Sequence, residues 1–175
     1  MRLFISINFS PETLAALIAA REGLRALAGG RGSFTPDANL HLTLAFLGET
    51  EPGRVPLALE AMREAGARPF ELVFDRAGRF KRADGGIWWA GGPENPALAA
   101  VQRRLARGLA SRGFELEARR FIPHVTLARR VPELEGLPEL FETPVTERVG
   151  ALSLMQSELG RGAPRYTELE RLALE

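Results

Sequence analysis

The sequence predicts an α+β fold of two lobes, each a mainly antiparallel sheet flanked by helices, related by a pseudo-twofold axis with a cleft between them. Three observations carry this expectation. Segments of strand period and helix period alternate along the 175 residues, one run of elements occurs twice, and the copies are offset by 83 residues. Leu3 to Phe9 alternates as a strand, and Ser10-Pro11-Glu12 supplies a cap, a first-turn proline and an acid for a following helix. That helix carries Leu14, Leu17, Ile18, Leu24 and Leu27 at helical spacing and ends at Gly29-Gly30-Arg31-Gly32. Leu40 to Leu47 reads as a strand, Glu51 to Gly66 as a helix with Val55, Leu59 and Met62 on one face, and Pro69 to Phe74 as a strand. Ile87-Trp88-Trp89-Ala90 is a further strand. Asn95-Pro96 caps a helix bearing Leu98, Val101, Leu105 and Leu109, which Gly113 stops. Phe114 to Leu116, Phe121 to Ala128, Arg148 to Gln156 and Tyr166 to Leu174 complete the strands, and Pro132 to Glu142 is a turn or a short helix.

The length suits one two-lobed unit over 1–175, with repeat units at roughly 3–48 and 86–131. With 45% apolar and 26% charged residues the composition is that of a folded globular protein. No apolar run reaches membrane-helix length and the amino-terminal segment lacks a cleavage pattern, so the expected setting is the cytoplasm and the expected state a monomer. Zero cysteines remove disulfides, thiolate metal sites and a thiol nucleophile. A balance of 23 basic to 22 acidic residues excludes a strongly basic nucleic-acid coat protein.

Only two histidines occur, and both open the same pattern: His41-Leu42-Thr43-Leu44-Ala45 and His124-Val125-Thr126-Leu127-Ala128. In a strand, residues two apart share a face, so each half presents an imidazole and a hydroxyl while Leu42, Leu44, Val125 and Leu127 face the core. Two facing imidazoles suit in-line displacement at phosphorus, where attack and departure need a base and an acid on opposite sides. An ordinary imidazole pKa of about 6.5 serves both roles. The threonine hydroxyls can donate to non-bridging oxygens. Two histidines alone fall short of the ligand set of a catalytic zinc. A solitary strand histidine would be a packing residue and a solitary strand threonine a β-former. The matched contexts argue against both.

The tandem His-x-Thr-Leu pair resembles the signature of the two-histidine phosphoesterases. Arg2-Leu3-Phe4-Ile5-Ser6-Ile7, Ala45-Phe46-Leu47-Gly48, Phe121-Ile122-Pro123 before His124, and Phe80 before Ile87-Trp88-Trp89-Ala90-Gly91 resemble its RNA 2',3'-cyclic phosphodiesterase branch, historically called 2'-5' RNA ligases. The resemblance implies a bilobal α+β fold and hydrolysis of RNA 2',3'-cyclic phosphate ends to a 2'-phosphate. It also implies reverse ligation in some members and no metal or cofactor. By the family pattern His41 is the proton donor and His124 the proton acceptor, Thr43 and Thr126 contact phosphate, and Arg129 is its cationic partner. Phe46 stands where Arg129 stands in the other half. A phosphodiesterase for a small cyclic nucleotide and a non-catalytic RNA-binding module are the alternatives. One of Trp88 and Trp89 belongs to the core and the other is free to stack a base. Phe121 is expected in the core, and Tyr166 is a candidate for the cleft.

Overall fold

The computed structural model describes residues 1–175. Strand β1 (Arg2–Ile7) leads into helix α1 (Pro11–Leu27), whose cap Ser10 accepts from the Thr13 amide and donates its own amide and hydroxyl to the buried Glu147 carboxylate. A cap of this type is worth about 1 kcal/mol. The glycine stop, with Gly29 and Gly30 at positive φ, turns the chain into β2 (Ser33–Phe34) and then β3 (Leu42–Glu49). Helix α2 (Val55–Glu64), β4 (Phe70–Phe74), β5 (Arg76–Phe80), β6 (Gly86–Gly91) and α3 (Pro96–Ser111) follow. Strands β7 (Val125–Val131), β8 (Val145–Val149), β9 (Ala151–Glu158) and β10 (Arg165–Ala173) close the chain.

Eight strands form one sheet in the order β10-β9-β1-β3-β7-β6-β5, with β2 beside β7, while β4 and β8 make a separate antiparallel pair. Every pairing is antiparallel. The two lobes meet at the His-x-Thr strands, where a single residue pair, Leu42 with Val125, joins β3 to β7.

The ladders on either side of that junction share their register. Ile5, Ser6 and Ile7 pair with Ala45, Thr43 and Leu42; Trp88, Trp89 and Ala90 pair with Ala128, Thr126 and Val125. Every residue of the first set lies 83 before its counterpart, and both ladders skip one residue at the same point, Leu44 or Leu127. Helices are exchanged across the junction: α1, which follows β1, packs on β7 and β8, whereas α3, which follows β6, packs on β3 and β4. One continuous core of Leu17, Leu24, Leu42, Leu105, Leu127 and Trp88 therefore draws on both halves.

Several expected boundaries differ. Phe114 to Leu116 is not a strand; Phe114 is buried beneath the Arg54 guanidinium, 4.3 Å from its ring centroid, and Arg54 donates to the Arg112 carbonyl, so the segment is held by side chains rather than a ladder. The expected strand from Phe121 begins only at Val125, because Pro123 lacks an amide and the residues before it have no strand beside them. Arg148 to Gln156 is two strands in different sheets, divided at Gly150. Pro132 to Glu142 has neither helix nor strand. The expected Glu51–Gly66 helix starts as a 3-10 turn at Pro52–Arg54 and becomes α-helical at Val55. Strands β2 and β5 carry too little alternation to be read from sequence.

Candidate active site

His41 and His124 stand at the start of β3 and β7, on opposite sides of the one-pair junction. Each ring is fixed the same way. The Nδ1 of His41 lies 2.6 Å from the Asn39 carbonyl, and that of His124 lies 2.7 Å from the Ile122 carbonyl, two residues back in both cases. A carbonyl only accepts, so both Nδ1 atoms carry hydrogen and the neutral rings expose an unprotonated Nε2. Thr43 and Thr126 lie two residues on, half-buried like the histidines. Thr43 Oγ1 is 2.9 Å from His41 Nε2, whereas no such bond joins Thr126 to His124.

The shared bulge determines what else faces the cleft. An extra residue in a strand reverses its alternation, so Phe46 and Arg129 return to the face of His41 and His124 rather than to the core. Both are exposed, Phe46 at 56%. Arg129 is close enough for its charge to depress the pKa of both imidazoles and of the Tyr166 phenol, and so it stands within reach of both rings. Burial is the larger cause for the histidines, lowering both below the ordinary 6.5, and for His41 a proton on His124 adds to it. Burial raises Tyr166. Burial and the Arg129 charge both disfavour the protonated imidazoles, and a negative charge entering the cleft would act in the opposite direction.

Aromatic rings surround each histidine. Phe4 and Tyr166 flank His41 at 4.9 and 5.2 Å, while Phe80 and Trp89 flank His124 at 5.1 and 6.0 Å. Trp88 is the core tryptophan, 1% exposed, and Trp89 faces the cleft. Phe121 packs against the core at its margin, as expected, and Tyr166 lines a cavity of about 190 Å³ with His41, Asn8 and Met155. Phe80, which in the sequence carries only the family resemblance, is brought to the site by β5, where it pairs with Ile87 and stands edge-on to His124.

The loop carrying Asn39 is secured from α1. Buried Arg21 donates to the Thr35 carbonyl at 2.8 Å and to Asp37 at 2.5 Å, and Asn39 donates to the Pro164 carbonyl at 2.8 Å. Of the arginines around the second motif, Arg119 pairs with Glu117 and Arg130 donates to Ser33, while Arg129 is the one whose charge reaches both imidazoles. No three His, Asp or Glu side chains converge as a metal ligand set. No helix is long and apolar enough to cross a membrane.

An RNA 2',3'-cyclic phosphodiesterase of Thermus thermophilus is 36% identical over 190 aligned positions, covering 99% of this chain and 90% of that one. One from Geobacillus stearothermophilus is 34% identical over 136 residues, spanning 73% of this chain and 41% of that longer protein. The crystal structure of Escherichia coli LigT with 3'-AMP superposes with a TM-score of 0.83 at 33% identity, covering 99% of this chain and 97% of the other. The model of the 2'-5' RNA ligase superfamily matches residues 11–161, and the chain belongs to that superfamily.

Proposed function

We infer that this chain is an RNA 2',3'-cyclic phosphodiesterase, converting a cyclic phosphate terminus to a 2'-phosphate, with 2'-5' ligation open to it when an RNA 5'-hydroxyl takes the place of the attacking water. The observation that carries the reading is the pair of imidazoles with Nδ1 locked to backbone carbonyls and Arg129 within electrostatic reach of both. In the reaction His124 Nε2 removes a proton from water as its oxygen attacks phosphorus in line. The P–O3' bond breaks opposite, and His41 Nε2–H gives its proton to the departing O3'. The two imidazoles then exchange protons with solvent to reset the cycle.

Neutral His124 with a free Nε2 suits the base. His41 must enter the step protonated, and the anionic phosphate supplies the charge that raises its pKa from the depressed value of the free cleft. Thr43, Thr126 and Arg129 hold the non-bridging oxygens, with Thr43 also steering the Nε2 hydrogen of His41. In-line geometry puts the ribose, as leaving group, on the side of Phe4 and Tyr166, and the attacking water on the side of Phe80 and Trp89.

The duplicated register supports a single two-lobed catalytic unit with an internal repeat, and we propose that it acts on RNA ends as a monomer in the cytoplasm. The test is hydrolysis of an oligoribonucleotide with a 2',3'-cyclic phosphate end in the presence of chelator, with identification of the product isomer. The expected product is the 2'-phosphate, formed at an unchanged rate. A 3'-phosphate product, or RNA binding without turnover, would contradict the assignment.

A further inference from the structure

The two histidines sit in unlike aromatic surroundings, and the one around His124 has been given room by its neighbours. Trp89 pairs across the sheet with Gly78 on β5, and its indole lies over that strand. A Cβ at Gly78 would come within 2.2 Å of Trp89 Cη2 and Cζ2, and one at Gly91 within 2.7 Å of Cζ3. Neither glycine is at positive φ, so backbone conformation does not require them; the flat indole does. The ring reaches Phe80 at 5.5 Å, and Phe80 stands edge-on to His124. The indole Nε1 is buried without a hydrogen-bond partner, a cost to stability that packing alone would not select.

We propose that Trp89, laid across Gly78 and Gly91 and backed by Phe80, is a positioning residue that walls His124 from bulk water and keeps its Nε2 unprotonated for the attack step. This rests on the reading of His124 as the base. The charged groups around His124 are few. Arg129 extends from its own strand, Arg82 lies over the Phe80 ring at 5.8 Å, Arg76 on β5 is paired with Asp75, and His41 stands across the cleft. Arg79 is on the other face, against Trp88. None is an acid facing the imidazole, so removing the wall admits water and lets the ring protonate more readily.

The test uses Gly78→Ala, which keeps the tryptophan but lifts it, and Trp89→Leu, which removes the ring. Because the chain has only two histidines, NMR titration follows both imidazoles, and His41→Asn assigns them. In both variants the His124 midpoint is expected to rise by about half to one pH unit toward the ordinary value, while the His41 midpoint does not rise. The acid limb of the kcat/KM profile should rise by the same amount, which below that limb is a roughly three- to tenfold loss. That loss should fall in kcat rather than KM and should not track any change in Tm. An unmoved or lowered His124 midpoint in folded Gly78→Ala and Trp89→Leu would overturn the proposal. A raised midpoint with an unmoved rate limb would instead overturn the reading of His124 as the base and leave the hold of Trp89 on the ring standing.

Discussion

The two sides of the cleft are built on one register and then furnished differently. On the β3 side, His41 Nε2 already meets Thr43 Oγ1, the flanking rings are Phe4 and Tyr166, and the bulge brings up Phe46. Opposite, His124 Nε2 is free, the flanking rings are Phe80 and Trp89, and the same bulge brings up Arg129. The loops before the histidines differ too: Arg21 ties the first to α1 and Asn39 ties it to Pro164 ahead of β10, whereas the second relies on Pro123 and a half-exposed approach. A symmetric backbone thus delivers two equivalent imidazoles, and side chains at the equivalent positions give them unlike surroundings. In the proposed mechanism the cation on the phosphate, Arg129, comes from the half that carries the free imidazole.

The sharpest way to break the comparison is to remove either imidazole. His41→Ala and His124→Ala should each lower kcat by about 10²- to 10⁴-fold, with RNA affinity nearly retained, as read by single-turnover kinetics beside a binding titration. A rate within tenfold of wild type would remove that histidine from the mechanism. Next in size, Arg129→Gln should cost roughly 10- to 100-fold in kcat/KM, and Phe46→Arg should not restore it, because the added charge enters from the other lobe. Restoration would mean that the halves are interchangeable. Thr126→Val should cost about tenfold or more in kcat, while Thr43→Val, made in the same shape, should also move the His41 limb of the pH profile, since only Thr43 touches its imidazole.

The smallest effect is on stability. Both histidines titrate lower in the folded chain than the ordinary 6.5 of the unfolded one. Below that pH the unfolded chain binds protons that the folded chain refuses, so stability is full above about 6.5 and falls as pH drops toward the folded values. His41→Gln should flatten that acid slope, narrowing the difference in Tm between neutral and mildly acidic buffer on the order of 2 °C. An unchanged slope would count against burial as the cause.

Much of this was legible in the residues. The 83-residue offset carried the register of both ladders, and the caps Ser10 and Asn95 marked both long helices. Alternation then misled at one physical point: it keeps a strict period of two, and the bulges at Leu44 and Leu127 interrupt it, so the face shared by His124 and Arg129 follows from the ladder and not from the spacing. Exchange of α1 and α3 between lobes was equally invisible, because a helical stripe of leucines says that a face is buried and not against which sheet. Strand β5 was missed because Gly78, needed beneath Trp89, weakens its β pattern. Phe114 shows the opposite error: it is a core aromatic beneath a stacked arginine and belongs to no ladder.

The division of labour between the histidines is tested most directly by a cyclic substrate whose bridging 3'-oxygen is replaced by sulfur. A thiolate leaves with little need of a proton, its ordinary pKa being about 8.5, whereas the base is still required to activate water. On this substrate His41→Ala should recover to within about tenfold of the wild-type rate and His124→Ala should remain as impaired as on the oxygen substrate. Recovery of His124→Ala instead, or equal impairment of both, would contradict the assignment of His41 as the acid and His124 as the base.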